Sequence, residues 1–300
     1  MLSKISLYVR MTRPGFLLVT PLACGLGLAC AYASGVPLHA PTALLTVCLA
    51  TLLHAAANVH NDYEDARKGS DAINTSAVRP FSGGAGLIQA QEVTAQQTRQ
   101  FAFALFAVVA IGGLWLLAQV GVGILYVGLA GVLLAWAYSA PPLALMSRGL
   151  GELAVALAWW LMVLGADFVQ RQSFALQPLL LGLPYACLMA NVLLVNGLPD
   201  AAADAQVGKR TLVVRLGARG AAALYALLLF KAAAVLWFAQ CYLGLPIDVL
   251  WALAPLLLGV VALACLLRAI AARASLKPAI VLTIVTVLLH GAVLVALLCR

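Results

Sequence analysis

Four of the ten acidic residues in this 300-residue chain, Asp62, Glu64, Asp65 and Asp71, fall in the single stretch NVHNDYEDARKGSD at 58–71. Asn58, Asn61, Asp62 and Asp65 stand at offsets that place them on one face of a helix, and Lys68 extends that face by another turn. The segment NGLPDAAADAQVGKRTLVVRLG at 196–217 repeats the pattern, with Asn196, Asp200 and Asp204 at every fourth position. Carboxylates one turn apart repel each other by a few tenths of a kcal/mol unless a cation lies between them. Amide and carboxylate oxygens are hard ligands that suit Mg²⁺, an ion that takes one or two carboxylates and fills its remaining positions with water and phosphate oxygens. Two such clusters facing each other would hold metal ions on either side of a diphosphate. Lys68, Arg79, Lys209, Arg210 and Arg215 stand close by in sequence to neutralise the remaining phosphate charge. A neutralised diphosphate is a good leaving group, and its departure from an allylic carbon produces a carbocation that survives in an apolar chamber closed to water.

The elements that must position these residues are membrane helices. The chain is 64% hydrophobic and 9% charged, whereas a water-soluble domain is normally about 25% charged. Apolar runs of roughly 20 residues, the length that crosses a hydrocarbon core of about 30 Å, occur near 16–34, 40–61, 100–119, 121–140, 150–170, 178–199, 221–242, 247–269 and 278–298. They are too long and too uniformly apolar for barrel strands. The expected fold is all-α, with about nine spans in one bundle that forms a single domain over 1–300. The first run follows Lys4, Arg10 and Arg13 and is read as a retained helix rather than a cleaved leader.

Of the eighteen Lys and Arg residues, all but Arg171, Arg300 and Lys231 lie on one side if the amino terminus is inside. Positive loops stay cytoplasmic, so the amino terminus and two long polar loops, 62–99 and 200–220, are expected in the cytoplasm of a cell with this multi-pass protein in its inner membrane. Topology then accounts for the net charge of +8, and a nucleic-acid partner is not expected. No obligatory protein partner is inferred either; the bilayer is the expected surrounding. The seven cysteines all fall in apolar runs without metal-ligand spacing and read as small core residues. Gly69 and Gly208 are expected to end the two polar helix extensions. The clusters lie four spans apart, which suggests two related halves.

With these motifs the chain resembles the UbiA superfamily of intramembrane aromatic prenyltransferases, whose members have nine helices and two Asp-rich motifs of the form Asn-x-x-x-Asp-x-x-x-Asp. The resemblance covers nearly the whole chain. Asn61-Asp62-Tyr63-x-Asp65-x-x-Lys68-Gly69-Ser70-Asp71 and Asn196-x-x-x-Asp200-x-x-x-Asp204-x-x-x-Gly208-Lys209-x-Thr211-Leu212 are most similar to the 1,4-dihydroxy-2-naphthoate branch. Arg13-Pro14 and YSAPPLALMSRGLGE, with Tyr138, Arg148 and Glu152, agree with it. Gly69 occupies the third acidic place of the general pattern, and Asp71, two residues on, takes over as in that branch. Pro199 stands where the branch has Arg, and RPFSGGAGLIQ departs from its usual sequence.

The resemblance implies a Mg²⁺-dependent transfer of a polyprenyl group from a polyprenyl diphosphate to an aromatic acceptor, 1,4-dihydroxy-2-naphthoate. It also implies that Asn61, Asp62, Asp65, Asp71, Asn196, Asp200 and Asp204 hold the metal and diphosphate. Asn61, Asp65, Asp200 and Asp204 would be central to catalysis, while Lys68, Arg79, Tyr138, Arg148, Lys209 and Arg210 would bind substrate. Another ring, 4-hydroxybenzoate or a tetrapyrrole, is the alternative acceptor, and a secondary transporter is the alternative class. Transporter sites, however, lie near the bilayer midplane rather than at one face.

Several polar residues admit more than one role. Lys231, in mid-span, is expected to face the bundle or a wet cavity. His54 reads as a hydrogen-bonded core histidine, and Glu152 as a carboxylate that complements a helix dipole or serves an acceptor site. Tyr138 is an interfacial aromatic whose ring could also face a carbocation.

Overall fold

The computed structural model describes residues 2–244 and 248–300. Residue 247, where one expected span begins, lies outside the described residues, as does the Lys4 side chain. Among the described residues every regular element is helical. In chain order the helices are α1 (Leu2–Met11), α2 (Pro14–Leu17), α3 (Val19–Ala33), α4 (Ala40–Lys68), α5 (Ser70–Ile73), α6 (Ala95–Val120) and α7 (Gly123–Ala137). After a 3-10 turn at Leu145–Arg148 come α8 (Gly151–Arg171), α9 (Leu176–Gly197), α10 (Ala201–Gln206), α11 (Leu212–Leu243), α12 (Val249–Ala272) and α13 (Lys277–Leu298).

Eight of the nine expected spans are helices long and apolar enough to cross a bilayer. The expected span 121–140 falls short. Its helix, α7, starts after Gly121 and ends before the sequence SAPP, and its 15 residues reach roughly 22 Å at 1.5 Å per residue. The chain is an integral membrane protein of helical-bundle architecture. Helices α3, α8, α9, α11, α12 and α13 share the main core, and α9 is the most enclosed of the spans. Helices α4, α6 and α7 complete the other flank through two smaller apolar clusters.

Close packing of this kind needs small residues. A methyl group on Gly27 of α3 would sit 2.2 Å from the Val163 carbonyl oxygen and 2.9 Å from the Asp167 amide nitrogen of α8, so the two backbones touch there. Such contacts between helices in lipid rest on van der Waals packing rather than on the hydrophobic effect. At the end of the same pair where α8 finishes, Asp167 is buried and its carboxylate receives Arg171 at 2.8 Å. The Arg171 guanidinium also donates to the Cys30 carbonyl and the Ser34 hydroxyl, tying α8 to α3.

Four other expectations are refined. Helix α4 runs on to Lys68, where Gly69, in the left-handed region with φ 81°, caps it, so the first long loop begins at 69 rather than 62. Helix α11 begins at Leu212, well before the expected 221, and kinks at Gly217. Lys231 does not face the bundle: it is exposed. The buried stripe of α11 runs through Tyr225, Leu229, Ala232, Leu236 and Ala239, and 231 falls off that stripe, where a long aliphatic stem can carry the ammonium along the helix surface. Nor are all the cysteines core residues, since Cys48, Cys241 and Cys299 are exposed.

Gly27→Ala is expected to lower the thermal midpoint of the detergent-solubilised protein, at an overpacking cost of about 1–3 kcal/mol. Gly113→Ala, which meets nothing within 4 Å, should be neutral. Equal midpoints for the two variants in a fluorescence melt would contradict the α3–α8 contact.

Candidate active site

The two Asn/Asp stripes meet at the end of the bundle where α4 and α9 leave the apolar region. The first stripe remains helical throughout, so Asn61 and Asp65 lie one above the other, and the Asn61 amide donates to Asp65 at 3.2 Å and to the Ser139 hydroxyl at 3.1 Å. The second stripe is interrupted. Pro199 brings no backbone N–H and restricts the residue before it, so α9 stops at Gly197 and α10 restarts after Asp200. Leu198 and Asp200 nonetheless keep helical backbone angles, which holds Asn196, Asp200 and Asp204 on one side.

Both stripes line one cavity of about 230 Å³, with Asn61, Asp65, Asp71, Asn196, Asp200, Asp204 and Lys209 at its polar end. Towards the bundle interior its walls turn apolar, through Leu53, Leu134, Val155, Trp159, Met162 and Val192. Lys209 joins the two motifs. Its Nζ lies 2.5 Å from Asp65 Oδ1 and 3.0 Å from Asp204 Oδ1, and its side chain is buried. Burial alone would lower the affinity of this ammonium for its proton, but Asp65 and Asp204 outweigh it and the pKa is raised. Burial, then the charges of Asp65 and Asp62, push the Asp71 carboxyl up to about 7 against the opposing pull of Arg13 and Lys209. Asp200 and Asp204 are also raised, chiefly by burial.

The segment after α5 folds back over these carboxylates as a strap. The Asn74 amide donates to Asp200 Oδ1 at 2.6 Å and the Gly83 N–H to Oδ2 at 3.2 Å. The Ala85 N–H donates to Asp62 Oδ2 at 3.0 Å. Gly84 has φ 66°, and a methyl group there would meet Asp71 Oδ2 at 2.6 Å, so only glycine lets the strap lie this close. The sequence RPFSGGAG is therefore built for contact with carboxylates.

The predicted residues separate by position. Asn61, Asp65, Asp71, Asn196, Asp200, Asp204, Lys209 and Tyr138 face the cavity. Asp62 lies behind it, against Arg13 at 3.5 Å. Lys68 donates to the Ser147 hydroxyl at 2.8 Å and acts on Asp65 and Asp204 through its charge. Arg79 packs across Gly86 and influences Asp62 from outside the cavity. Arg148 donates to the Pro142 carbonyl at 2.6 Å, and Arg210 is exposed, with its backbone N–H donating to the Ser147 carbonyl. These last three do not line the cavity. His54 is hydrogen-bonded to Thr20 at 2.8 Å and its ring meets Trp159 edge-on, as expected of a core histidine.

Two contributors lie outside the two Asn/Asp motifs. Arg13, at the positive-φ turn before α2, lines the cavity half-buried, near Asp62, Asp71, Asp65 and Asp200. Burial opposes its charge, but those carboxylates prevail and its pKa is raised. The only hint was the Arg-Pro pair ahead of the first span. Asn74 lies in a polar stretch with no periodicity at all.

The donor set facing the cavity is oxygen-rich, and Asn196 Oδ1 is buried without a hydrogen-bond donor. Among the described residues no three Asp, Glu, His or Cys side chains converge tightly enough to hold an ion by themselves. An oxygen-rich donor set fits Mg²⁺, which binds through one or two carboxylates with the rest of its shell supplied by water and phosphate.

Comparison with known proteins agrees with this arrangement. A 1,4-dihydroxy-2-naphthoate octaprenyltransferase of Escherichia coli is 32% identical over 239 residues, covering 76% of this chain and 74% of that protein. One from Bacillus subtilis is 27% identical over 220 residues, covering 72% and 68%. Among solved structures, a UbiA homolog from Aeropyrum pernix superposes with a TM-score of 0.70 at 17% identity, over 92% of this chain and 97% of that one. A UbiA homolog from Archaeoglobus fulgidus bound to GPP and Mg²⁺ superposes with a TM-score of 0.60 at 16% identity, over 96% and 99%. Residues 18–285 match the profile of the UbiA prenyltransferase family, a stretch that includes both Asn/Asp motifs, and the chain belongs to that family.

Proposed function

We propose that this protein transfers a polyprenyl group from an allylic polyprenyl diphosphate to 1,4-dihydroxy-2-naphthoate at the inner face of a cell membrane, with Mg²⁺ bound to the diphosphate. The observation that carries the reading is the convergence of Asp65 and Asp204 on one Lys209 at the polar mouth of an apolar cavity. The naphthoate acceptor rests on the relatives from E. coli and B. subtilis, both named for that substrate. The use of Mg²⁺ is supported by the A. fulgidus homolog bound to GPP and Mg²⁺. The excess of Lys and Arg on the motif side supports a cytoplasmic active site in an inner membrane.

In this mechanism Asp65, Asp71, Asp200 and Asp204, with the Asn61 and Asn196 side-chain oxygens, would hold the metal–diphosphate. When bound, Mg²⁺ supplies charge neutralisation that makes diphosphate a better leaving group. Lys209 and Arg13 stand where phosphate oxygens would arrive, and they limit the repulsion between substrate and carboxylates. Lys68 adds positive charge from just outside. The apolar wall shields the allylic cation from water, and the faces of Tyr138 and Trp159 offer it π density. The strap 74–86 closes the cytoplasmic side through Asn74 and Gly83. One unit spanning all the helices performs the reaction, because each motif supplies half of the diphosphate site.

Incubated with Mg²⁺, a polyprenyl diphosphate and dihydroxynaphthoate, the purified protein is expected to form a prenylated product that has lost CO₂, as read by mass spectrometry. Chelation should stop the reaction and fresh Mg²⁺ restore it; product formed at full rate in chelator would refute the metal-dependent reading. Asp65→Ala and Asp200→Ala should each lower turnover by about 100-fold or more with an unchanged melting profile, and substantial activity in either would contradict the diphosphate site. Lys209→Met should weaken binding of prenyl diphosphate by about tenfold or more, the value of one charge-assisted hydrogen bond, measured by titration at saturating Mg²⁺.

A further inference from the structure

Five carboxylates face the cavity, and one belongs to neither motif. Glu152 lies in the first turn of α8, with 7% of its surface exposed. The four motif carboxylates share the neighbourhood of Arg13 and Lys209. Glu152, in contrast, has no cation within ion-pair distance among the described residues, and its carboxylate is engaged by its own backbone N–H alone. A dipole-matching role at a helix start would be served equally well by an exposed side chain. Burying a carboxylate in an apolar wall is costly unless something arrives to use it. Tyr138, which lines the same cavity, is close enough to interact electrostatically with both Glu152 and Asp65. The other protonatable side chain in the inner wall, His54, is already engaged with Thr20.

We propose that Glu152 binds the aromatic acceptor by receiving the proton of its ring hydroxyl, in the same cavity as the diphosphate site and close to Tyr138. The inference rests on the transfer reading above. As the allylic C–O bond breaks, its electron pair leaves with diphosphate, and a π pair of the ring forms the new C–C bond at the carbon bearing the carboxylate. The hydroxyl ortho to that carbon becomes a carbonyl, and its proton passes to a Glu152 oxygen. Cleavage of the C–CO₂ bond then returns an electron pair to the ring, CO₂ departs, and Glu152 gives the proton back to the oxygen. No proton is gained or lost overall, so a carboxylate closed off from bulk water suffices.

The test uses the full-length protein with Mg²⁺. Glu152→Gln is expected to lower kcat/KM for dihydroxynaphthoate by about 100-fold or more, the range of a lost proton acceptor. A non-transferable prenyl thiolodiphosphate should bind that variant within about threefold of the parent, the signature of an intact diphosphate site. A halogenated dihydroxynaphthoate that enters already ionised should recover much of the lost rate in Glu152→Gln, and Glu152→Asp should outperform Glu152→Gln with the ordinary acceptor. Parent-like turnover of Glu152→Gln, parallel loss of thiolodiphosphate binding, or equal defects with both acceptors would each overturn the role. Failure of the parent to form product would instead sink the transfer reading itself, and this role with it.

Discussion

Negative charge buried at the edge of a hydrocarbon slab is the constraint that organises this molecule. Isolated carboxylates in such a place would take up protons or drive the helices apart. The chain answers with cations drawn from distant segments: Lys209 follows α10, Arg13 precedes α2, and both penetrate the cluster made by α4, α5 and α10. A buried ammonium that bridges Asp65 and Asp204 is stable only while both partners stay in place, so the interaction that offsets carboxylate repulsion also fixes the register of α4 against the α9–α10 corner.

From that anchor the remaining architecture follows outward. The strap spends backbone N–H groups on Asp62 and Asp200, which spares the site from needing further basic side chains in a region of limited space. Asn58 reaches the Thr12 carbonyl and so couples α4 to the turn carrying Arg13. Away from the mouth, the bundle is held by small residues and van der Waals contact, with Asp167 and Arg171 clamping the opposite end. Lys231 apart, which lies in mid-span on an exposed face of α11, charge is concentrated at the two ends, and among the described residues Glu152 is the one carboxylate outside the two motifs that lines the cavity.

Much of this was legible from residue order. The spans showed as uninterrupted apolar runs, and the spacing of Asn61 and Asp65, and of Asn196, Asp200 and Asp204, was enough to place each set on one face. Glycines 69 and 208 did mark the ends of polar extensions, both at positive φ. What stayed hidden depends on tertiary approach. The insertion of Arg13, the bond from Asn74 to Asp200 and the retreat of Arg79, Arg148 and Arg210 from the cavity have no local pattern, because a loop cation looks the same in sequence whether it points in or out. Lys231 was misjudged for a related reason: its depth could be counted, but the face it occupies depends on which stripe of α11 the neighbouring helices cover.

The abbreviated helix α7 has a bearing on the surrounding lipid. One of its sides, through Gly131, Leu134 and Ala135, forms cavity wall, while Leu125, Tyr126, Leu129 and Leu133 on the other are exposed. An apolar length several ångströms below the hydrocarbon thickness is accommodated by local thinning of the bilayer, by snorkelling of flanking side chains or by association with a neighbour. Thinning would draw headgroups towards the depth of the chamber along a partition one helix thick.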